Sequence, residues 1–510
     1  MAVGKFGGPL SRKLADYGAS DYYAFHMPGH KRLIGEFENP FHMDITEIDG
    51  FDDLHHPEAE GILTEAQRRA ARAFGAEETH FLVNGSTAGI LSAISGCTKQ
   101  GGTLLMARNC HRSAYHGAEL RGLKTEYLYP QYLEELGING AVLPEDVEKA
   151  LNEKKEIQAV MIVSPTYDGV CSDVERIAAI CHSFGVPLIV DQAHGAHFRF
   201  SEYFPEDAVS AGADVVIHSV HKTLPSLTQT ALLHVQGKLV KREQIRKFLS
   251  IYQSSSPSYV LMASIDACVD LIEREGRELF EQHVRKLQAF RESCRELKWL
   301  YLAGLDSEKD GIWQLEAKLA EFRQTADFDR SKLLISARRA NRIGSGLTGE
   351  ELSRILRERY HIQMEMSGPD YVVGIASVGD SKEGFRRLAE ALHEIDRELD
   401  RTDTTEGTDR KARNESAKSS ALPRLEAVLT ISEAGEAEGT CRPLAACEGA
   451  VSGTYVYLYP PGIPVLAPGE RVTAELLKCV EAWLTAGYEV HGMEADSEGN
   501  PALKIVINHN

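Results

Sequence analysis

The sequence predicts an α/β protein with a mainly parallel central sheet, a small α+β domain and a C-terminal domain. Between about residues 60 and 250, short apolar runs alternate with amphipathic stretches, as expected for strands joined by crossover helices. The clearest apolar runs are Ala159 to Val163, Val186 to Val190 and Ala213 to Ile217. A helix-like stretch from Asp173 to Phe184 separates the first two. This succession predicts a βαβ series, in which neighbouring strands run in the same direction.

Composition limits the classes of function. The chain has 510 residues, of which 43% are hydrophobic and 26% charged, enough for two to four packed domains. Its net charge of −19 argues against nucleic acid or an anionic membrane surface as a partner. No apolar run is long enough for a secretory signal or a membrane span, so we expect a cytoplasmic protein. The nine cysteines include no C-x-x-C pair, which argues against a disulfide framework and a zinc cluster.

Changes in pattern along the chain predict the domain boundaries. We expect an N-terminal segment over residues 1–60, a large domain over 61–300 and a small α+β domain over 301–400. Residues 403–420 contain no Val, Ile, Leu or aromatic residue, which indicates a linker, placed at 401–422. The remaining residues, 423–510, have strand-like and helix-like runs of their own and are expected to form a C-terminal domain.

An acid and a lysine follow two neighbouring apolar runs. Asp191 closes the first run, and Lys222 comes 31 residues later, just after the Val215 to Ser219 run. Because ligand sites of open parallel sheets lie at the carboxyl ends of strands, both side chains should meet at one edge. A lysine there can hold an aldehyde as a Schiff base, and a carboxylate can keep a pyridine nitrogen protonated. The pair therefore predicts pyridoxal-phosphate chemistry. A strand-end Asp is, however, more often a turn residue, and a lysine usually a solvated one.

Two further turns carry polar residues suited to the same cofactor. The run Phe81 to Val83 leads into Asn84-Gly85-Ser86-Thr87 and then a helix-like stretch, a plausible cradle for a phosphate dianion. An ordinary strand-to-helix turn explains that pattern about as well. His111 follows a third apolar run and could stack on a flat ring, although a lone histidine there is more often a loop residue.

Together these residues resemble the Orn/Lys/Arg decarboxylase family, group III of the fold-type I, aspartate-aminotransferase-like pyridoxal-phosphate enzymes. The resemblance is to the compact bacterial members and covers nearly the whole chain. Two departures occur: Gln192 stands where the family usually has Glu, and Leu224-Pro225 where it has small residues. The matching segments are His26-Met27-Pro28-Gly29-His30-Lys31, Asp52-Asp53-Leu54-His55, Asn84-Gly85-Ser86-Thr87, Ser164-Pro165-Thr166-Tyr167, Asp191 to His197, Ser219 to Lys222, and Tyr459-Pro460-Pro461-Gly462-Ile463-Pro464.

The resemblance implies decarboxylation of arginine, lysine or ornithine by a homodimer or a dimer of dimers. It assigns the Schiff-base lysine to Lys222, the pyridinium partner to Asp191, ring stacking to His111 and proton transfer to His221. Substrate contacts fall to Glu365, expected to meet the distal cation, and to His194. The implied cofactor-binding residues also include Gly85, Ser86, Thr87, Ala193 and Ser219, with Ser255 or Ser256 reaching in from a neighbouring subunit.

Other functions share some of these residues. A fold-type I aminotransferase or lyase would also use Asp191 and Lys222, but would usually need an arginine for the substrate α-carboxylate. A catalytically silent pyridoxal-phosphate regulator would normally carry a basic DNA-binding domain, which the acidic composition does not support. A metal hydrolase is a third alternative, with a ligand set drawn from His194, His197, His218 and His221.

The composition of the linker makes a direct prediction. Limited proteolysis of the intact protein should cut first between Asp403 and Ser420, because that stretch cannot bury enough apolar surface to order itself. Mass spectrometry of the fragments locates the cuts. Resistance of this stretch, together with cleavage in another loop, would show that the boundary is misplaced.

Overall fold

The fold is that of a computed structural model, which describes residues 9–33, 39–134, 136–304, 326–342, 344–401, 421–459, 462–485, 487–496 and 499–507. The predicted linker 403–420 lies outside the described residues, so the domain boundaries stay predictions. Within the described ranges, no helix has the length and apolar character needed to cross a bilayer.

A seven-stranded sheet forms the centre of the large domain. Six of its strands are parallel, and Ala231–Val235 runs against both its neighbours. The α/β prediction is therefore confirmed, although the antiparallel strand was not foreseen. In spatial order the strands are Glu78–Leu82, Ala231–Val235, Val215–His218, Leu188–Asp191, Ile157–Val163, Thr103–Ala107 and Lys124–Leu128.

Helices cover this sheet, and its inner strands are almost completely buried between them, whereas the edge strand Lys124–Leu128 is only partly buried. The strand Thr103–Ala107, for example, has no exposed residue, as expected when both faces of a parallel sheet are packed. The predicted run from Val186 becomes a strand only at Leu188, because Pro187 has no N–H to donate to the ladder. Helices of the large domain are Ile62–Phe74, Gly85–Cys97, Arg112–Leu120, Pro144–Glu153, Val174–Ser183, Val220–Thr223 and Arg242–Tyr252. Short strands outside the sheet are Tyr132–Leu133, Ile138–Asn139 and Val170–Ser172.

The long helix Tyr259–Ser293 leads from the large domain to a smaller four-stranded sheet. That sheet is antiparallel and has the order Tyr301–Leu302, Lys332–Ser336, Tyr371–Ile375 and Met366–Ser367. An N-terminal strand, Tyr23–Phe25, pairs in parallel with Ile362–Met364, and Ala326–Phe328 pairs with Val170–Ser172. The remaining helices of this half are Pro9–Ala19, Pro40–Met43, Arg338–Arg342, Gly349–Tyr360 and Lys382–Arg401.

The C-terminal part has its own apolar core and is anchored on the large domain by Arg108. This guanidinium is fully buried, forms an ion pair with Glu470 at 3.1 Å and donates to the carbonyls of Pro464 and Val465. A buried charge needs such partners to offset its lost hydration. Strands here are Gly439–Pro443, Val456–Leu458, Pro464–Leu466, Val490–His491, Glu494–Ala495 and Pro501–Val506, and helices are Ile431–Glu436 and Ala474–Thr485.

Candidate active site

A cavity of about 590 Å³ opens at the carboxyl ends of the parallel strands. Its position follows from the topology, since each of these strands ends in a polar turn at the same edge of the sheet. Most of the site residues predicted from the sequence therefore line this one cavity. Those lining the cavity are Gly85, Ser86, Thr87, His111, Asp191, Ala193, His194, Ser219, His221, Lys222 and Glu365.

Asp191 ends one strand and Lys222 lies in the short helix Val220–Thr223 just after the neighbouring strand, and both residues line this cavity. Asp191 is the last residue of its strand and pairs in register with Ile217, five residues before Lys222. The carboxylate is 4% exposed and accepts a hydrogen bond from the N–H of Ala193 at 3.1 Å. Burial raises the pKa of Asp191, and it lowers that of Lys222 to about 8. The site thus holds a buried acid near an amine that is easily deprotonated.

The turn after the first strand forms an anion cradle with the turn before Lys222. Gly85, at a φ of +72°, opens the helix Gly85–Cys97, so the first backbone N–H groups of this helix face the cavity. The hydroxyl oxygens of Ser86 and Ser219 are 2.6 Å apart there. Free amides, a helix N-terminus and two hydroxyls are donors suited to a phosphate group.

Three histidines face the cavity, each with a different partner. His221 donates from Nδ1 to the carbonyl of Thr230 at 2.8 Å, which leaves Nε2 as an acceptor. His111 begins the helix Arg112–Leu120, where its Nδ1 accepts from the N–H of Ser113. Burial lowers the pKa of both His111 and His221 to about 4, so both are neutral at pH 7. His194 contacts Lys222, with 3.0 Å between Nε2 and Nζ.

The other two histidines of the metal-hydrolase alternative point elsewhere. His197 lies 3.2 Å from Asp329, and the Nε2 of His218 donates to the Oε1 of Gln192 at 2.8 Å. The same Gln192 oxygen accepts from the N–H of Ala208. Gln192 is the first departure from the family pattern. It does not line the cavity, and its side chain instead links His218, at the end of the next strand, to the backbone of Ala208.

Glu365 reaches the cavity from the small domain. It follows the strand Ile362–Met364, whose parallel partner Tyr23–Phe25 leads into Met27. This pairing brings the N–H of Met27 to 2.9 Å from Oε2 of Glu365, while the hydroxyl of Tyr167 donates to Oε1 at 2.6 Å. Both carboxylate oxygens are thus oriented but keep lone pairs for a ligand.

The N-terminal motif supports the loop that carries Lys222. Gly29 donates its N–H to the carbonyl of His221 at 2.7 Å. A Cβ at Gly29 would lie 2.7 Å from the carbonyl oxygen of Leu224, too close for any side chain. Leu224, the second departure from the family pattern, is fully buried against this backbone.

Ser255 and Ser256 do not line the cavity within this chain. Both are exposed in the loop after the helix Arg242–Tyr252. The neighbouring Ser254 receives a hydrogen bond on its carbonyl from His55 and donates its N–H to Asn84 at 3.2 Å. Their contribution to a second subunit stays a prediction.

Several residues at the site were not foreseen from the sequence. Asp168 and Arg112 line the cavity, and Tyr459 and Ile463 reach it from the C-terminal part, while Pro460 and Pro461 lie outside the described residues. Arg112 donates one hydrogen bond to the hydroxyl of Tyr457 at 2.8 Å. Burial raises the pKa of Asp168 to about 6. No local sequence signal distinguishes Asp168 and Arg112 from ordinary loop residues, whereas Tyr459 and Ile463 belong to the segment Tyr459 to Pro464 that resembles the family, although no site role was assigned to them.

Comparison with known families matches almost the whole chain. Residues 8–384 match the model "Orn/Lys/Arg decarboxylase, major domain", and residues 418–506 match the model for the C-terminal domain of the same family. Among curated proteins, the arginine decarboxylase of Bacillus subtilis is 32% identical over 494 residues, which cover 95% of each chain. The lysine decarboxylase LdcA of Pseudomonas aeruginosa is 25% identical and covers 96% of this chain and 78% of its own.

A solved structure shares the fold. The lysine decarboxylase LdcF of Francisella novicida superposes with a TM-score of 0.77 at 20% identity, covering 98% of this chain and 81% of its own. The fold is thus that of the fold-type I pyridoxal-phosphate enzymes, as the sequence predicted.

The contact between Gly29 and Leu224 can be tested with a single methyl group. Gly29→Ala should lower the stability of the protein by about 1–3 kcal/mol, because the new Cβ meets backbone atoms that cannot move aside. The matched control is Gly18→Ala, since a Cβ at Gly18 meets nothing within 4 Å. Thermal unfolding of both variants measures the difference. Equal midpoints for Gly29→Ala and the wild type would contradict this packing.

Proposed function

Because the chain belongs to the Orn/Lys/Arg decarboxylase family, we propose that it decarboxylates arginine with pyridoxal phosphate bound in the cavity around Lys222. Family membership makes the protein a decarboxylase of a basic amino acid. Arginine is favoured because the arginine decarboxylase of B. subtilis is the nearer relative, at 32% identity against 25% for the lysine enzyme LdcA. We further propose a homodimer, with Ser255 or Ser256 completing the neighbouring site.

The pairing of Asp191 with Lys222 in one cavity is the observation that carries the cofactor proposal. Asp191 is a buried carboxylate whose recorded hydrogen bond comes from a single backbone N–H. Such a group needs a further donor, and a protonated pyridine nitrogen in the cavity would supply it. The hydroxyls of Ser86 and Ser219 at the helix N-terminus suit the phosphate. The residues present therefore fit the cofactor.

Each residue of this chain has a defined task in the proposed reaction. When bound, pyridoxal phosphate supplies the electron sink that accepts the electron pair of the broken bond between Cα and the carboxylate. Lys222 provides the amine for covalent attachment, and Asp191 keeps the ring nitrogen protonated. His111 offers a neutral imidazole as a stacking face. His221 presents Nε2, which can accept a proton, because its Nδ1–H is held by Thr230.

Glu365 is the residue we propose for recognition of the distal cation. Its two oxygens are fixed by Tyr167 and by the backbone of Met27, so the carboxylate has one orientation before substrate arrives. A planar guanidinium can donate two parallel hydrogen bonds to such a carboxylate, whereas an ammonium makes a point contact. A Glu365 carboxylate held in one orientation therefore favours the guanidinium of arginine over the ammonium of lysine or ornithine.

The proposed decarboxylase site leaves the substrate α-carboxylate without a strong ionic clamp. Among the described residues that line the cavity, Arg112 is the only arginine, and its guanidinium lies over the rings of Tyr457 and Tyr459 and donates one hydrogen bond to the hydroxyl of Tyr457. A tight clamp would stabilise the ground state of a group that must leave. This feature favours decarboxylation over transamination at the same cofactor.

Lys222 can be tested through covalent attachment. Lys222→Ala should abolish the borohydride-reducible cofactor adduct and lower decarboxylation by at least about a thousandfold, because the attachment amine is lost. Peptide mapping by mass spectrometry locates any adduct. Asp191→Asn should keep some cofactor yet lose most turnover, and Lys238→Ala, at an exposed position, should behave as wild type. A reducible adduct retained on another lysine would refute the assignment of Lys222.

Glu365 can be tested through substrate preference. Glu365→Gln should cost about 2–4 kcal/mol of transition-state binding for arginine, measured as kcat/KM in a carbon-dioxide release assay. The assay compares arginine, lysine, ornithine and the neutral analogue norleucine. Tyr167→Phe is the matched control, because it removes a partner of Glu365 but keeps the charge, and should cost about 0.5–1.5 kcal/mol.

Two outcomes would contradict these assignments. If Glu365→Gln keeps the wild-type preference for arginine over norleucine, Glu365 does not recognise the cation. If the wild-type enzyme loaded with cofactor releases carbon dioxide faster from lysine than from arginine, the choice of arginine is wrong.

A further inference from the structure

Lys332 is a fully buried lysine behind the cavity wall. It begins the strand Lys332–Ser336 of the small domain, and its side chain has 0% exposure. Its Nζ lies 3.2 Å from Nδ1 of His194 and 3.8 Å from Oδ2 of Asp329. A lysine in such a place loses its hydration completely, so these contacts must offset a large cost.

The surrounding backbone is shaped to admit this side chain. Gly169 has a φ of +109°, and a Cβ there would lie 2.8 Å from Cγ of Lys332. The carbonyl of Gly169 accepts the N–H of Asp329 at 2.7 Å, and the carbonyl of Asp329 accepts the N–H of Lys332. Asp329 is itself held by His197 and by the N–H of Ser331. Lys332, Asp329 and Gly169 therefore contact one another and hold the lysine side chain in one position.

His194 contacts two lysines at once, which restricts where the protons lie. Its Nε2 is 3.0 Å from Nζ of Lys222, and its Nδ1 is 3.2 Å from Nζ of Lys332. Burial holds the pKa of His194 well below its usual value, so the ring is neutral, with one N–H and one lone pair. An ammonium group can only donate. Both hydrogen bonds can therefore form only when the lysine that faces the imidazole N–H is a neutral amine, which leaves the ammonium form open to the other lysine alone.

Asp329 decides which lysine carries the charge. Its carboxylate is fully buried beside Lys332, and the neighbouring His197 and Lys332 keep it ionised, with a pKa of about 2 despite burial. Asp191 and Glu365 attract the ammonium form of Lys222 only through space, whereas Asp329 forms a salt bridge with Lys332 at 3.8 Å. Burial lowers the pKa of Lys332 as well, but its ion pair with Asp329 favours the ammonium on Lys332, which then donates to Nδ1 of His194. The N–H of the ring is then on Nε2 and donates to the lone pair of Lys222.

We propose that Lys332 is a positioning residue: by fixing the tautomer of His194, it directs Nε2–H at Lys222 and favours the unprotonated form of the Lys222 amine. The proposal rests on the proposed function in one respect, namely that Lys222 is the amine that attacks the cofactor aldehyde. Only a neutral amine has the lone pair for that attack. Lys332 touches neither cavity nor ligand and acts through His194.

Other charged groups also face the two lysines and affect whether each is an ammonium or a neutral amine. Asp191 and Glu365 favour the ammonium form of Lys222, whereas burial and Lys332 oppose it, and the resulting pKa is about 8. The titratable groups facing Lys222 are Asp191, Glu365, His111, His194, His221 and Lys332. Those facing Lys332 are Asp329, Glu365, Asp168, Cys171, His194 and Lys31.

The experiment measures the reactivity of Lys222 in the full chain freed of cofactor. Formaldehyde with a borohydride reductant methylates unprotonated amines, and mass spectrometry quantifies the product at Lys222 across pH. Wild type should show a midpoint near pH 8. Lys332→Met should move the midpoint upward by about one pH unit, because a neighbouring positive charge and the fixed imidazole donor are both lost.

Two more variants separate the parts of the argument. Asp329→Asn keeps the lysine but removes its counter-ion, so the proton moves towards Lys222 and the midpoint again rises. Lys332→Gln keeps a donor for Nδ1 without the charge and should give an intermediate shift. Lys154→Met is the control, since it removes a surface lysine paired with Glu126 and should leave the midpoint unchanged.

Wild-type midpoints in both Lys332→Met and Asp329→Asn would overturn the proposal. If Lys332→Met does not fold, Asp329→Asn and Lys332→Gln decide alone. The measurement needs neither cofactor nor decarboxylation. A shifted midpoint in a protein that releases no carbon dioxide would therefore keep this inference and reject the proposed function, and the reverse result would do the opposite.

Discussion

Charged groups removed from water must find partners, and this requirement joins distant parts of the chain around the cavity. The ammonium group of Lys31 donates hydrogen bonds to the carbonyls of His26 and Ile375 and so connects the N-terminal segment to the small domain. Arg108 does the same between the large domain and the C-terminal part through Glu470. Each buried cation fixes two segments at once, because its hydrogen bonds have demanding geometry and leaving one unmade is costly.

The local sequence was sufficient to predict the position of a site residue where that residue directly follows a clear strand pattern. Asp191 ends an apolar run and Lys222 follows the next, so both the parallel sheet and their common edge could be predicted. The same pattern reasoning missed the strand Ala231–Val235, whose antiparallel direction depends on its two neighbours and not on its own residues. A charged residue before an apolar run, as at Lys332, is indistinguishable in sequence from a solvated strand end.

Long-range contacts account for most of what sequence could not reveal. The position of Glu365 depends on a parallel pairing of two three-residue strands, Tyr23–Phe25 and Ile362–Met364, which are too short to carry a periodic signal. Lys332 can be buried because Gly169, far from it in the sequence, leaves room for its side chain, while Asp329, three residues before it, supplies the opposite charge. The resemblance to a family identified Glu365; nothing in the residues alone would have done so.

The cavity wall draws on nearly the full length of the chain, from Met27 to Ile463. This has a consequence for biosynthesis. All strands of the central sheet precede residue 236, so their residues are synthesised well before Ile463, and the wall can be completed only after the sheet residues exist. A chain that ends before the C-terminal part would therefore lack the side of the wall that Tyr459 and Ile463 supply.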